Sequence, residues 1–104
     1  MAFIINQDES ASRDVCHIVI DEEMTIYTIS SLKNDFTEVL AQYEKFELNL
    51  AGIEDFDSAG LQLILSFKAE LIRQSKEFQL SGVSAAVTNL VKSYGLTERF
   101  TRGG

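Results

Sequence analysis

Apolar residues along the chain follow two kinds of pattern, and the shorter pattern predicts strands. Five short runs of β-branched, aromatic or other apolar residues are separated by polar segments, at 3–5, 15–20, 24–27, 46–50 and 78–80. In the fourth run Phe46, Leu48 and Leu50 alternate with polar residues, which is the period of a half-buried strand. The polar segment 7–14 joins the first two runs, so we expect them to pair antiparallel. The acidic segment 21–23 predicts a turn.

The longer pattern, with apolar residues three or four positions apart, predicts three helices. The first covers about 31–44, the second begins at Ser58, and the third follows Ser84. Their apolar faces comprise Leu32, Phe36, Val39, Leu40 and Tyr43; Leu61, Ile64, Leu65, Leu71 and Ile72; and Val87, Leu90, Val91 and Tyr94. Ser30 or Ser31 would cap the first helix and Ser84 the third. Lys68 interrupts the second apolar face, and Gly95 is placed to end the third helix in the left-handed conformation.

This order of elements predicts an α/β fold in one domain that covers residues 1–104. Two β-α-β crossovers follow a pair of opening strands, so we expect a mixed β-sheet of four to five strands with helices packed mainly on one face. The chain has no proline and only six glycines, so no segment has the composition of a linker. We expect disordered or loosely held stretches near 7–14 and 101–104.

Composition excludes several classes of protein. With 45% hydrophobic and 24% charged residues, the 104-residue chain can form a core without disulfides or a structural metal. One cysteine, Cys16, and one histidine, His17, cannot form an internal disulfide or a Cys/His zinc set. No apolar run approaches the roughly 18 residues of a membrane-spanning helix, and the N-terminus lacks a basic signal-peptide region. We therefore expect a cytoplasmic protein without membrane insertion.

Charge is unevenly distributed along the chain. The net charge is −7, which disfavours direct binding to nucleic acid. Residues 1–59 carry thirteen acidic and three basic side chains, whereas residues 60–104 carry three acidic and six basic. This asymmetry fits either a role in steering a partner or ordinary variation between solvated faces, and charge alone does not separate the two.

The segment 53–61, where a strand has ended and a helix begins, is the best candidate for function. Ligand chemistry in α/β folds concentrates in such strand-to-helix loops. Asp57 and Ser58 are both suitable N-caps, and Gly60 removes a side chain where another backbone could approach. Spacing alone also fits a simple cap and a turn glycine, so both interpretations stay open here.

The segment Phe56-Asp57-Ser58-Ala59-Gly60-Leu61, preceded by 48–53 and followed by 63–65, resembles the signature of STAS domains, the anti-sigma factor antagonist family. The resemblance covers roughly residues 15–100. It implies a STAS-like fold and a non-enzymatic regulatory protein whose Ser58 is phosphorylated by a partner serine kinase. It also implies that an anti-sigma factor-like or other signalling protein binds at Phe56, Asp57, Ala59, Gly60 and Gln62.

The chain departs from the family pattern before the first helix. Many anti-sigma factor antagonists have a Gly-x-Leu-Asp stretch there, whereas this chain has the segment 24–30 without a carboxylate at the matching place. This variant looks more like family members associated with chemotaxis-type signalling or lipid transport. The alternative hypothesis is therefore a constitutive adaptor subunit of a transporter or chemotaxis-type signalling complex, with Ser58 only a helix cap.

Enzyme chemistry has little support in the sequence. No Gly-x-Ser-x-Gly motif surrounds Ser58, and His17, the only possible histidine base, lies in a distant strand run. Neither glycine-rich phosphate-binding motif is present. Glu54, Asp55 and Asp57 are read as solvated charge rather than a metal site, and Cys16 as an inert buried thiol. We expect no enzymatic activity, no cofactor and no metal.

Overall fold

The computed structural model describes residues 3–6 and 15–101, which form four strands and four helices. The strands are β1 (Phe3–Asn6), β2 (Val15–Met24), β3 (Lys45–Phe56) and β4 (Glu77–Val83). The helices are α1 (Ile29–Leu40), α2 (Ser58–Arg73), α3 (Ala85–Ser93) and α4 (Thr97–Thr101). None of these helices has the length and apolar character needed to cross a membrane. The predicted loose stretch 7–14 and residues 102–104 lie outside the described residues.

The sheet is mixed, with strand order β1-β2-β3-β4. β1 pairs antiparallel with β2, as the sequence predicts, while β2, β3 and β4 are parallel to one another. Helices α1 and α2 supply the crossovers between the parallel strands. The carboxyl ends of β2 and β3 therefore lie side by side, because Met24 is the register partner of Phe56.

The core lies on one face of the sheet, where the helices pack. Buried residues alternate along β2 and β3 and align across the sheet, so that Cys16 is the partner of Phe46 and Phe46 that of Phe78. Phe67 of α2 packs its ring between these strands and α1, with centroids 5.4 Å from Phe46 and 4.4 Å from Phe36. The expected α/β fold with helices on one face is thus found in the described residues.

Three predictions for the segments between the strands and helices are wrong, and all three concern the carboxyl ends of β2 and β3. The acidic segment 21–23 is not a turn, because β2 continues through it while pairing with the extended second half of β3. The predicted strand 24–27 does not form, because β2 ends at Met24 and the chain turns. The loop expected after residue 50 is strand as far as Phe56. The described sheet therefore has three parallel strands and one short antiparallel strand, without the fifth.

The helices also differ in detail from expectation. α1 begins at Ile29 rather than after Ser30 or Ser31, and the N-cap position, Thr28, makes no side-chain capping bond. A short fourth helix, α4, follows α3. It explains the lysine in the apolar face of α2, because buried Lys68 donates a hydrogen bond from Nζ to the carbonyl oxygen of Arg99 at 2.7 Å.

Helix ends satisfy their backbone groups in recognisable ways. Ser84 caps α3 by accepting a hydrogen bond from the amide of Val87 at 3.2 Å, as the sequence predicts. Gly95 ends α3 with φ of 68°, also as predicted. α2 ends with the same geometry at Ser75, a non-glycine residue with φ of 59°. Each of these two residues donates its amide to the second-to-last carbonyl of its helix.

Candidate functional site

The candidate site is formed where β2 and β3 end and α2 begins. Only Asp57 separates the last residue of β3 from the first residue of α2, so the connection is a tight junction rather than the predicted loop. The turn 25–28, which leads from β2 to α1, lies directly beside this junction. Two stretches about thirty residues apart in sequence therefore share one edge of the sheet.

Asp57 is the N-cap of α2 and also ties the two stretches together. Its Oδ1 accepts hydrogen bonds from the amides of Ala59 at 3.0 Å and Gly60 at 3.2 Å. Its Oδ2 accepts from the amide of Ile26, across the junction, at 3.0 Å. The backbone amide of Asp57 donates to the carbonyl of Met24 at 3.4 Å. The half-buried carboxylate thus holds three amides and fixes how the turn 25–28 sits against α2.

Ser58 is the first residue of α2, and its side chain is exposed. The sequence left open whether Asp57 or Ser58 caps the helix, and the structure gives that role to Asp57. The part of the alternative hypothesis in which Ser58 serves only as the cap is therefore wrong. The N-terminus of a 16-residue helix carries a partial positive charge, and its first turn contains no acidic residue.

Gly60 allows β2, Phe56 and α2 to pack closely. It is buried, and a Cβ at this position would lie 2.4 Å from the carbonyl oxygen of Met24 and 2.9 Å from the ring of Phe56. The backbone that approaches Gly60 is therefore that of the same chain. Only a residue without a side chain fits between β2 and α2 here, and the expected part of Gly60 in a contact surface stays a prediction.

The other residues of the predicted contact surface differ in accessibility. Phe56 is half-buried and packs its ring partly against the core, and Ala59 is half-buried in the first turn of α2. Gln62 is exposed one turn after Ser58. Ser58, Ala59 and Gln62 thus lie together on the first turns of α2, with Asp57 at their base.

The turn 25–28 adds two residues to the site that no motif in the sequence indicates. Ile26 and Tyr27 are 66% and 91% exposed. The sequence predicts a strand at this position because the segment is apolar and β-prone. Thr25 and Thr28 are the local signal that could have indicated a turn, since their hydroxyls bond backbone groups within the segment.

Acidic side chains surround this edge of the sheet. Glu22, Glu54 and Asp55 are exposed, and Glu23 is half-buried and accepts a hydrogen bond from the hydroxyl of Thr25. Glu23 and Asp55 are register partners, so the acidic residues of both strands lie close together. The acidic half of the sequence thus produces a local negative surface next to Ser58.

In the described part of the chain, His17 and Ser58 lie far apart along β3, and no cluster of metal ligands is found. His17, the only histidine, lies on β2 beside Glu47 near the start of β3, with Nδ1 2.9 Å from Oε1, whereas Ser58 follows the end of β3. Within 3–6 and 15–101, no three His, Cys, Asp or Glu residues are grouped so that they could hold a metal ion. Cys16 is fully buried, and desolvation raises the pKa of its thiol to about 11, so the thiol stays protonated.

Comparisons with known proteins place these features in context. A family model described as "Mlab, STAS domain" matches residues 8–101. A comparison with curated protein sequences gave no significant match.

Among solved structures, the unphosphorylated form of the anti-sigma factor antagonist SpoIIAA is similar, with a TM-score of 0.73 at 20% identity over 91% of this chain and 82% of that chain. The phosphorylated form of the Bacillus cell fate determinant SpoIIAA gives 0.72 at 17% identity, over 97% and 89%. A sulfate transporter family protein from Wolinella succinogenes gives 0.63 at 17% identity, over 84% and 70%. These structural similarities show a shared fold.

Proposed function

The chain belongs to the STAS domain family, and we propose that it is a non-enzymatic regulatory binding protein switched by phosphorylation of Ser58 by a partner serine kinase. The observation that carries the proposal is that Ser58 is exposed and does not cap α2. Its side chain is exposed at the start of α2, while Asp57 makes the capping bonds. The hydroxyl is therefore accessible to a kinase, and its modification does not remove the helix cap.

The electrostatics of the junction support a change of partner rather than a change of fold. A phosphate on Ser58 would add about −1.5 to −2 charges at neutral pH. The N-terminus of α2 would stabilise that charge by roughly 0.3 to 1 kcal/mol. Asp57, Glu54 and Asp55 would add repulsion toward any partner that excludes water there. We therefore expect the helix to remain folded while the affinity of the partner for the unmodified form falls.

The proposed contact surface consists of Ser58, Ala59 and Gln62, with Phe56 and Asp57 contributing through the parts of their side chains that are accessible. A serine kinase with the character of an anti-sigma factor, or another signalling protein, is the proposed partner. The similarity in fold to both the unphosphorylated and the phosphorylated forms of SpoIIAA supports this assignment.

The test begins with the protein purified from its source cells. Mass spectrometry of its peptides should find phosphate on Ser58, and a Ser58→Ala variant should lose that signal. The Ser58→Asp variant should bind the copurifying partner more weakly than wild type in a titration. Ser66→Asp is a matched control, because Ser66 is also exposed on α2 but two turns further along. Equal affinity of the Ser58→Asp and Ser66→Asp variants would contradict the switch.

The second candidate function is a constitutive adaptor subunit of a transporter or chemotaxis-type signalling complex, in which Ser58 is not modified. The similarity in fold to the sulfate transporter family protein favours it. A stable stoichiometric complex that survives purification and is unaffected by Ser58→Asp would support the adaptor over the switch.

A further inference from the structure

We propose that Ile26 and Tyr27 form the apolar anchor of the docking surface, and that the partner supplies an apolar pocket rimmed by lysine or arginine side chains. This inference rests on the proposed function, because it identifies the chemistry of the partner that binds beside Ser58. It concerns residues of the β2–α1 turn that no motif in the sequence singles out.

The side chains of Ile26 and Tyr27 are strongly exposed. Tyr27 is 91% exposed and Ile26 is 66% exposed, and they are the two most exposed large hydrophobic side chains in the part of the chain that the structure describes. They are consecutive in sequence and stand directly beside the junction that holds Ser58. Aromatic side chains, tyrosine in particular, are enriched among the residues that dominate binding energy at protein interfaces. A single exposed apolar residue needs no explanation, but this adjacent pair does.

Hydrogen bonds hold the backbone that carries the pair. Every amide of the turn 25–28 has an acceptor: Thr25 donates to the Thr28 hydroxyl at 3.0 Å, Ile26 to Asp57 Oδ2 at 3.0 Å, Tyr27 to the Thr25 hydroxyl at 3.2 Å and Thr28 to the Thr25 carbonyl at 3.0 Å. The backbone therefore loses little freedom when a partner covers the side chains. Preorganisation of this kind increases affinity by lowering the entropic cost of binding.

The charge around the pair defines the chemistry of the partner. Glu22, Glu54 and Asp55 are exposed on the two strands that lead into this edge. The sequence contains no lysine or arginine from 14 to 32 or from 46 to 67, which includes the turn, both strand ends and the start of α2. A partner whose pocket receives Ile26 and Tyr27 therefore meets negative charge around them. Basic side chains at the rim of that pocket complement this charge.

Asp57 connects the turn that carries Ile26 to the start of α2, where Ser58 lies. One carboxylate oxygen of Asp57 caps α2 beside Ser58, and the other holds the amide of Ile26. Phosphate on Ser58 would place additional negative charge next to this carboxylate and next to the basic rim of a bound partner. The anchor and the phosphorylation site therefore belong to one surface.

The experiment places the photo-reactive residue p-benzoylphenylalanine at position 27 of the full chain in cells of the source organism. Position 94 is the matched control, because Tyr94 is also an exposed aromatic residue, at the end of α3. We expect a cross-linked partner from position 27 and not from position 94. The captured protein is then purified and titrated against wild type, Ile26→Ser, Tyr27→Ala and Tyr94→Ala.

We expect Tyr27→Ala to weaken binding at least tenfold, Ile26→Ser to weaken it less, and Tyr94→Ala to leave it unchanged, with equal melting temperatures for all four proteins. The affinity of wild type should fall as salt is raised. The inference is overturned by affinity that is unchanged in Tyr27→Ala, by affinity insensitive to salt, by a cross-link only to a second copy of the chain, or by no cross-link at position 27.

The same titration separates the two proposals. If Tyr27→Ala loses the partner and Ser58→Asp keeps it, the anchor stands and the phosphorylation switch fails. If Ser58→Asp loses the partner and Tyr27→Ala keeps it, the switch stands and the anchor fails.

Discussion

Replacing Asp57 should destabilise the protein, whereas replacing its neighbour Ser58 should not. In Asp57→Ala the amides of Ala59 and Gly60 lose their acceptor at the start of α2, and the amide of Ile26 loses its acceptor across the junction. In Ser58→Ala an exposed hydroxyl is removed and the cap remains. The two variants therefore separate the role of the cap from the role of the adjacent serine.

The structure sets the size of the effect. Loss of an N-cap side chain costs about 0.5 to 2 kcal/mol. The bond to Ile26 adds about 0.5 kcal/mol, the low end of the range for one hydrogen bond, because water can replace it at an exposed site. We therefore expect Asp57→Ala to lower the free energy of unfolding by about 1 to 2.5 kcal/mol. A change within about 0.5 kcal/mol is expected for Ser58→Ala, as for other surface substitutions.

Urea unfolding followed by circular dichroism measures both values, provided that the slopes with denaturant agree. Asp57→Asn is the intermediate control: its side-chain oxygen still caps α2, but its amide nitrogen cannot accept from Ile26, so it should lose only the smaller contribution. The capping assignment would be refuted if Ser58→Ala were as destabilising as Asp57→Ala. Equal stability of Asp57→Ala and wild type would show that the cap contributes nothing measurable.

Three further predictions concern the helix ends, the packing around the site and the buried thiol. Ser75→Gly should raise the free energy of unfolding by about 1 kcal/mol, because φ of 59° strains a residue that has a side chain. Gly95→Ser should lower the free energy of unfolding by a similar amount. Urea unfolding in which both variants change stability in the same direction would contradict this. Gly60→Ala should destabilise by about 1 to 3 kcal/mol, because its methyl group would clash with the Met24 carbonyl, and a melting temperature at or above that of wild type would show that the junction can open. Burial raises the pKa of the Cys16 thiol to about 11, so a thiol reagent at pH 8 should label the unfolded protein and not the folded protein. Because the thiol ionises at lower pH in the unfolded chain, the free energy of unfolding should fall as the pH rises from about 9 to 11.

Much of the fold could be predicted from the sequence because the signals are local. Alternation at Phe46, Leu48 and Leu50 predicts a strand because one face of the sheet is buried, and this strand is the first half of β3. The end of α3 at Gly95 and its start after Ser84 depend on residues within one turn of the helix, and both predictions are confirmed. The resemblance around Ser58 likewise lies within a short segment, and the family model confirms the family.

The predictions failed where pairing between distant segments decides the structure. Acidic residues at 21–23 predict a turn when each segment is considered alone. In the folded chain they continue β2 because the second half of β3 supplies hydrogen-bond partners, and the positive φ of Glu22 accommodates an irregular register. Ile26 and Tyr27 predict a strand by composition, but no neighbouring strand pairs with them in the described residues.

The candidate site divides in the same way. Its first part, Ser58 at the start of a helix after a strand, follows from residues adjacent in sequence. Its second part depends on the Asp57 carboxylate, which caps α2 and also accepts a hydrogen bond from the amide of Ile26, 31 positions earlier. This contact places the exposed side chains of Ile26 and Tyr27 beside Ser58. A single sequence does not contain that contact, because side-chain periodicity reports which face of an element is buried and not which distant backbone group a polar side chain will meet.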